Sequence, residues 1–336
     1  MVFTKTLFRS WQLFFIGVLV TAFLFSVAPA AVAQKTIRLG YQPAPIIAWV
    51  VKEKQLLEKR GYEPEWTVFP YAAPELEAMA AGSIDMAVMG TLPIVMVAVK
   101  DPDIWYIYDA LGNGSGMVVG VDSNISSAAD LKGKKIAFPG KGSQQYGLLM
   151  SYLDSAGMND SDLELFRSNA PDMLTLLKNK QVDGFLAWAP FTSEAVRTGV
   201  AKSLWTSDDL HKLKAGHWLN AGWAVRADFA RENEDAVIAL IESLHEATRL
   251  LRSNPEEVTE IFSTATGLAP EVNAYTVSNH YFVYFDPEDT APSAEPIKEM
   301  FAILIKNGVI DPIDNLDQVL ENFVHPEFVE KVLSKN

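Results

Sequence analysis

The sequence predicts an α/β protein made of two lobes, and three observations lead to that prediction. The chain has 336 residues, whereas a typical domain has ~100–200. Strand-like and helix-like segments alternate along it, and the alternation starts again after residue 133. A segment of the first series, residues 74–93, has a counterpart of the same length in the second, residues 171–190. We therefore expect two βα lobes of one design.

The first series places a helix after each of its apolar strands. Helices of this length between strands favour parallel pairing through crossover connections. The predicted strands are Thr36–Tyr41, Glu65–Phe69 and Met86–Met89, and the predicted helices are Pro45–Lys59, Pro74–Ala81 and Leu92–Val99.

The second series repeats this order, and a helical tail follows it. Three of the five tail helices start with Pro, which is suited to a first helical turn. The second series has predicted strands at Lys134–Phe138, Leu163–Phe166 and Gly184–Trp188, and helices at Ser143–Ala156 and Pro171–Lys180. The tail helices are Asp235–Ser253, Pro255–Ala265, Pro270–Tyr281, Pro296–Asn307 and Asn315–Val324.

The two matched segments share an aspartate. Each runs from Pro through a short helix to Asp85 or Asp183, and then through an apolar strand to a second Pro. An internal repeat would make the lobes two copies of one design, although two unrelated βα units could look equally alike. Because the two aspartates match each other, we expect a turn or cap role for them rather than an acid/base pair.

Two further apolar runs, Met117–Val121 and Gly222–Val225, are interpreted as crossover strands between the lobes. The predicted first lobe comprises residues 34–119 and 223–336, and residues 120–222 form a second lobe inserted between them. Two lobes on a two-strand hinge are typical of proteins that close around a ligand in the cleft.

The composition excludes several kinds of function. Lys and Arg number 28 against 42 Asp and Glu, a net charge of −14, which argues against a nucleic-acid-binding surface. There is no Cys, so disulfides, thiolate metal sites, cysteine nucleophiles and a lipid-modified cysteine are ruled out. The five His are scattered, and the G-x-S-x-G, H-E-x-x-H and G-x-G-x-x-G motifs are absent. We expect no enzyme activity, no metal site and no cofactor.

Residues 1–33 predict export. A basic start precedes an apolar run from Leu13 to Ala28, and Ala31-Val32-Ala33 is an A-x-A cleavage site. Cleavage after Ala33 would release the mature protein into a periplasm. The alternative is an uncleaved membrane anchor, but the apolar run is shorter than the ~20 residues that a span needs.

Polar residues follow the predicted strands, and these strand ends predict a binding cleft, because ligands of open α/β sheets bind beyond the carboxyl ends of strands. The most informative end is the loop in which Gly142 frees the backbone and Ser143 caps a helix. The first N–H groups of a helix have no partner and can bind a compact anion. The candidate ligand-binding residues are Gln42, Thr91, Gly142, Ser143, Gln144, Gln145, Tyr146, Trp188 and Asn220.

Plainer interpretations stay open for two of these residues. Every helix needs a cap, so Ser143 and its loop could serve only the start of the helix. Trp188 could be a core residue rather than a wall of the cleft.

Several short stretches, each weak alone, are together similar to one family. They are Gly40–Gln42, Ala81–Asp85, Leu111–Asn113, Asp130–Ala137, Tyr146 with Leu148-Leu149, Asp183-Gly184, Ala187–Pro190 and Arg226–Ala230. In this order and spacing they resemble the periplasmic substrate-binding proteins of ABC transporters for taurine and aliphatic sulfonates. That group also has nitrate-binding and thiamine-precursor-binding relatives.

The resemblance implies a two-lobed periplasmic-binding-protein fold of type II, which closes around its ligand and delivers it to an inner-membrane ABC permease. We accordingly expect a small organic anion as ligand, no nucleic-acid partner and a monomer. The resemblance also implies that the sulfonate is held from both lobes, by Gln42, Thr91, Ser143, Gln144, Gln145 and Tyr146.

One position departs from the family pattern. Taurine binders place an Asp two residues before the equivalent of Trp223, where it can pair with the ligand amine, and here that residue is Ala221. Asp109 is a possible substitute for this partner. We therefore expect a sulfonate or a similar small anion, with taurine itself left open.

Three alternatives differ in ligand or in class. The same receptor type could bind a nitrate-like oxyanion or a thiamine pyrimidine precursor, which would stack on Trp188. A related bilobal enzyme of pyrimidine synthesis is disfavoured by the export signal. A binding protein that feeds a sensor would share the same sequence features.

Overall fold

Two β-sheets organise the chain, one of six strands and one of five. The computed structural model describes residues 35–44, 46–98, 101, 103–210, 219–306 and 308–335. The predicted signal peptide, residues 1–33, lies outside the described residues. From Thr36 onward the chain forms one compact unit.

Eleven strands lie within the described ranges. The first sheet has the order β11-β4-β10-β3-β1-β2 and the second the order β7-β6-β8-β5-β9. In chain order the strands are β1 (Lys35–Tyr41), β2 (Tyr62–Val68), β3 (Met86–Gly90), β4 (Ile104–Asn113), β5 (Ser115–Gly120), β6 (Lys135–Phe138), β7 (Glu164–Arg167), β8 (Gly184–Trp188), β9 (Ala201–Thr206), β10 (Leu219–Arg226) and β11 (Phe282–Tyr284).

Helices connect and cover the strands. In chain order they are α1 (Ile47–Glu53), α2 (Ala72–Ala80), α3 (Thr91–Ala98), α4 (Gln144–Asp154), α5 (Ala170–Lys178), α6 (Phe191–Arg197), α7 (Ser207–Leu210), α8 (Ala227–Glu232), α9 (Glu234–Ser253), α10 (Pro255–Thr266), α11 (Pro270–Ser278), α12 (Ala294–Lys306), α13 (Leu316–Phe323) and α14 (Glu327–Leu333). No helix of the described chain is long and apolar enough to span a membrane.

Each sheet combines a parallel part with antiparallel strands. β1 pairs with β3 in parallel, and β6 pairs in parallel with both β7 and β8. The expected parallel pairing is confirmed for these strands. By contrast, β10 runs antiparallel to β3 and β4, and β5 runs antiparallel to β8 and β9. In each case the preceding strand in the chain belongs to the other sheet: β4 precedes β5, and β9 precedes β10.

The burial of each strand follows from its place in the sheet. β3 and β8 lie inside their sheets, and every residue of β8 is buried. Strands covered on both faces are continuous apolar runs, which matches their MAVMG and GFLAW sequences. β2 lies at an edge, and its residues alternate between half-buried and exposed.

The two matched aspartates make the same contacts in the two sheets. Asp85 Oδ2 accepts from the backbone N–H of Arg38 at 3.0 Å, while the Asp85 N–H donates to the Arg38 carbonyl at 2.8 Å. Asp183 does the same with Lys135, at 2.8 and 2.7 Å. Both therefore fasten the start of one parallel strand to its neighbour. The contacts are structural, but each aspartate holds a neighbouring strand rather than a turn or a helix cap as predicted, and the repeat extends to these hydrogen bonds.

The chain passes from the first sheet to the second at a single glycine. Gly114 lies between β4 and β5 with φ at +93°, and a side chain there would clash with the ring of Phe282. β5 already pairs in the second sheet, and β10 pairs in the first sheet from Leu219 onward. The lobe bounds at 119/120 and 222/223 stay a prediction. The pairing favours change-over points a few residues earlier, at Gly114 and before Leu219.

Two helices are shorter than the sequence pattern indicated. The segment predicted at Pro45–Lys59 forms α1 and then a turn in which Gln55 has φ at +52°, followed by a short 3-10 helix. The segment predicted at Pro270–Tyr281 ends at Ser278, and His280 has φ at +55°. A left-handed residue cannot continue an α-helix, so both helices stop before these positions.

Candidate functional site

A cleft of about 60 Å³ opens between the two sheets. That volume is several times the ~10–15 Å³ that one water molecule needs. Among the described residues, those that line it are Gln42, Ala44, Ile46, Tyr71, Ala72, Val88, Met89, Gly90, Pro93, Leu111, Ser143, Gln144, Gln145, Trp188, Asn220, Ala221 and Phe282. None of these lining side chains carries a formal charge.

The N-terminus of α4 faces this cleft from the second sheet. Ser143 is the N-cap: its hydroxyl accepts from the Tyr146 N–H at 3.3 Å and donates to the Gly140 carbonyl at 2.7 Å. Gln144 and Gln145, the first two residues of the helix, have no preceding carbonyl to which their N–H groups can donate. The helix dipole adds a partial positive charge at this end. Neutral groups therefore give this wall a positive potential.

A chain of amides links α4 to the first sheet. The Gln144 side chain accepts from the Leu92 N–H at 3.2 Å and donates to Asn220 Oδ1. Ser115 donates to the same oxygen at 2.8 Å and accepts from Gln145 Nε2 at 3.0 Å. These residues lie on α4, α3, β10 and β5, so one hydrogen-bonded group joins elements from both sheets.

Gln42 supplies the polar group on the opposite wall. It follows β1, and its Nε2 donates to Glu75 Oε2 at 2.8 Å. Glu75 lies on α2 behind the wall and is fully buried. Burial raises the pKa of its carboxyl well above the usual range, while the hydrogen bond from Gln42 opposes this only in part.

The rest of the wall is apolar and partly aromatic. Trp188, at the end of β8, is only 7% exposed and packs edge-on against Phe191 at 5.9 Å between ring centroids. Its indole Nε1 has no hydrogen-bond partner among the described residues. Phe282 and Tyr71 add two further rings to the lining. This surface suits the hydrocarbon part of a small ligand.

At the edge of the cleft, one cation bridges the two sheets. Arg167, at the end of β7, donates to the hydroxyl of Tyr71, and its guanidinium lies 5.2 Å from the centroid of the Tyr71 ring. Tyr71 immediately precedes α2. The pair therefore connects the first and second sheets beside the cleft.

A sequence model of the NMT1-like family matches residues 30–266, well over half of the chain. The chain belongs to the NMT1-like family. The family resemblance drawn from the sequence motifs is thereby confirmed.

Curated relatives and solved structures agree with this membership. A putative aliphatic sulfonates-binding protein of Escherichia coli (strain K12) is 30% identical over 266 residues, which is 76% of this chain and 81% of the relative. The taurine-binding periplasmic protein of that strain is 26% identical over 227 residues, or 66% of this chain and 68% of the relative.

The periplasmic aliphatic sulphonate binding protein SsuA of E. coli superposes with a TM-score of 0.70 and 25% identity, over 85% of this chain and 97% of that structure. The nitrate-binding protein NrtA of Synechocystis, at 17% identity and a TM-score of 0.77 over 90% of this chain and 89% of that structure, shares the fold. The predicted periplasmic-binding-protein fold is confirmed.

Six of the residues predicted for the NMT1-like cleft lie together in it. They are Gln42, Ser143, Gln144, Gln145, Trp188 and Asn220. They come from the ends of β1 and β8, the start of α4 and the second residue of β10. The rule that ligands bind beyond strand ends thus brought together Gln42, the start of α4 and Trp188, whereas Asn220 was predicted from its place at the return crossover.

Tyr146 and Gly142 do not line the cleft. The Tyr146 ring packs against Phe138, with 6.1 Å between centroids, and its hydroxyl donates to Asp160 at 2.9 Å. Gly142 is exposed, and a Cβ there would meet nothing within 4 Å. Both belong to the loop and the helix start, but neither is among the described residues that line the cleft.

Thr91 and Asp109 are not among the described residues that line the cleft. Thr91 is the first residue of α3 and is fully buried. Asp109 is also fully buried, and its Oδ1 accepts from the Tyr106 hydroxyl at 2.5 Å. A carboxylate enclosed in this way does not reach a ligand amine, so the structure gives no support to Asp109 as the substitute partner.

The sequence reasoning missed Ser115, Glu75, Tyr71 and Phe282. Ser115 follows the glycine at the passage between the sheets, a local signal that could have pointed to it. Glu75, Tyr71 and Phe282 carry no such signal, because they approach the cleft only through tertiary packing. Among the described residues, no group of acidic or His side chains is arranged to hold a metal ion. His211 and His217 lie outside the described residues.

Proposed function

We propose that this NMT1-like chain is the extracytoplasmic solute-binding receptor of an ABC importer. It captures a small sulfonate between its two lobes and delivers it to the permease. The E. coli relatives, named for binding aliphatic sulfonates and taurine, support this class of protein rather than an enzyme. The receptor works in the periplasm as a monomer, after cleavage following Ala33.

The main support for a sulfonate ligand is that α4 begins at a cleft whose lining side chains are uncharged. A sulfonate is ionised at every physiological pH and presents three oxygens that accept hydrogen bonds. The free N–H groups of Gln144 and Gln145 and the positive end of the helix match those oxygens without a counter-charge. The chain can thus bind an anion although its own net charge is −14.

The remaining lining, which comes from both sheets, accepts the rest of the ligand. Trp188, Phe282 and Met89 offer an apolar surface, and Gln42 offers one neutral polar group. A short alkyl chain fits this surface, since it loses water on contact and needs no hydrogen-bond partner.

The amide chain explains how the ligand favours the closed form. Gln144 and Asn220 line the cleft and also join elements of the two sheets. A ligand that touches the helix start and the first sheet adds contacts that exist only when the lobes are together. It therefore shifts the population towards the closed form, in which both lobes are presented to the permease.

The lining argues for a sulfonate without an amine. Ala221 lines the cleft at the position where taurine binders of the family have an Asp. Ala221→Asp should therefore raise the affinity for taurine and lower that for ethanesulfonate, because a carboxylate attracts the ammonium and repels a plain anion. Calorimetric titration of the wild type and of Ala221→Asp with taurine and with ethanesulfonate measures this change in affinity. If the ratio of the two affinities is the same in both proteins, the argument is contradicted.

A thermal-shift panel tests the receptor function itself. The purified protein is melted with ethanesulfonate, benzenesulfonate, taurine, nitrate and hydroxymethylpyrimidine. A ligand that binds only the folded protein raises the melting temperature. We expect the largest shift with ethanesulfonate or benzenesulfonate. A shift with the pyrimidine alone would replace the sulfonate by an aromatic ligand stacked on Trp188, and no shift with any sulfonate would refute the proposal.

A further inference from the structure

Glu75 is a buried carboxyl directly behind the wall of the cleft. It is fully buried on α2, and its Oε1 has no hydrogen-bond partner among the described residues. That oxygen lies against the backbone of β1, because a Cβ on Gly40 would come within 2.9 Å of it. An isolated carboxylate in such a place would be costly, since burial removes its charge from bulk solvent.

Among the described residues, burial and the hydrogen bond from Gln42 set the charge state of Glu75, and no neighbouring cation contributes. β3 and α3 contain no ionisable residue. On β1, the guanidinium of Arg38 is bound to Asp85 and to the Gly82 carbonyl, and the hydroxyl of Tyr41 accepts from Lys52. Glu77, on α2 itself, is exposed. The surroundings therefore favour the neutral carboxylic acid, in agreement with the raised pKa that burial produces.

Glu75 is bound to a residue of the cleft. Gln42 Nε2 donates to Glu75 Oε2 at 2.8 Å, and Gln42 lines the cleft. Since one N–H of the Gln42 amide is used by Glu75, this hydrogen bond restricts the orientation of an amide that lines the cleft. A glutamine without this anchor would lose side-chain entropy on binding a ligand.

We propose that Glu75 is a positioning residue: its uncharged carboxyl fixes the Gln42 amide in the cleft and keeps that wall free of negative charge, so that the receptor accepts anions. The inference rests on the proposed function for its ligand. The new point is that Glu75 affects the affinity for the ligand through Gln42 without contacting the ligand itself.

Three variants separate positioning from general stability. Glu75→Gln keeps the acceptor and the shape without an ionisable group, Glu75→Leu removes the acceptor, and Gln42→Ala removes the positioned residue. Glu77→Gln, two residues along the same helix and exposed, is the matched control.

The first measurement is the dissociation constant for ethanesulfonate, by calorimetry. We expect Glu75→Gln and Glu77→Gln to bind like the wild type, and Glu75→Leu to bind about three- to tenfold more weakly, the effect of one lost hydrogen bond. The double variant with Gln42→Ala and Glu75→Leu should bind no more weakly than Gln42→Ala alone, because both act through the same amide. Wild-type affinity in Glu75→Leu, or additive losses in the double variant, would overturn the proposal.

The second measurement needs no ligand. The pKa of a glutamate carboxyl in the unfolded chain is near 4.5, and burial raises it in the folded protein. The contribution of Glu75 to the free energy of unfolding is therefore fully present below about pH 4.5 and is lost as the pH rises. Between about pH 5 and pH 8, the melting temperature of the wild type and of Glu77→Gln should therefore fall relative to that of Glu75→Gln. Parallel curves would show that Glu75 is not held uncharged. If neither the wild type nor any variant binds ethanesulfonate, the proposed sulfonate function is wrong, and so is the role of Glu75 in selecting anions. The melting curves would still show whether the Glu75 carboxyl is uncharged.

Discussion

Replacing Gln144 by alanine removes one of the side chains that join the two sheets at the cleft. Gln144 is 2% exposed, accepts from the Leu92 N–H at 3.2 Å and donates to Asn220 Oδ1. Asn220 keeps its bond from Ser115, but the N–H of Leu92 loses its acceptor in a buried place. A buried donor left without a partner costs about 1–3 kcal/mol. This cost applies to the form in which the sheets are together, which is the form that holds the ligand.

The expected result is a weaker complex in a protein that still folds. A loss of about 1–3 kcal/mol corresponds to about 5- to 150-fold in affinity. Calorimetric titration with ethanesulfonate measures it, and circular dichroism melts confirm that the variant is folded at the temperature of the titration. Tyr146→Phe is the control, since its hydroxyl contacts Asp160 away from the cleft and its loss should change affinity by less than about twofold. If Gln144→Ala binds within about twofold of the wild type, the assignment of Gln144 is refuted.

Two further predictions concern packing and pH. A Cβ on Gly147 would lie 2.7 Å from Leu92 Cδ1 and 3.3 Å from Leu304 Cδ2, so Gly147→Leu should push α4 away from α3 and weaken ethanesulfonate binding by about 5- to 150-fold. Gly142→Ala, whose added carbon meets nothing within 4 Å, should bind normally, and equal affinities in the two variants would contradict this packing argument. Burial lowers the pKa of His245 to about 4, so the stability present above about pH 6.5 is lost as the pH falls towards 4. The melting temperature of His245→Gln should fall less steeply over that range, and parallel curves would show that His245 does not cause the loss.

Local patterns predicted the parts of the fold that depend on neighbouring residues. Ser143 as a helix cap, the MAVMG and GFLAW strands and the two matched aspartates all have signals within a few residues. Strand ends then placed Gln42, Gln144 and Trp188 in one cleft, because the carboxyl ends of parallel strands meet at one edge of a sheet.

Contacts between distant segments could not be predicted in this way. The hydroxyl of Tyr146 binds Asp160, and that bond turns the side chain away from the cleft although its neighbours on the helix face it. Phe282 reaches the cleft only because β11 pairs with β4. Glu75 and Gln42 are hydrogen-bonded although they lie 33 positions apart, and nothing in the sequence around either residue predicts this contact.

Strand β4, the longest of the described strands, was also not predicted. Its sequence IWYIYDALGN is rich in β-branched and aromatic residues, which is typical of a strand. In the structure β4 lies between β10 and β11, so Asp109 is buried within the sheet. A residue on a strand covered by helices is enclosed, and this explains why Asp109 is not among the residues that line the cleft.

A crystal structure of the purified protein with ethanesulfonate would show where the ligand binds. We expect the sulfonate oxygens to accept hydrogen bonds from the backbone N–H groups of Gln144 and Gln145, with the ethyl group against Trp188. A sulfonate bound away from the start of α4, or a cleft left empty at saturating ethanesulfonate, would contradict this expectation.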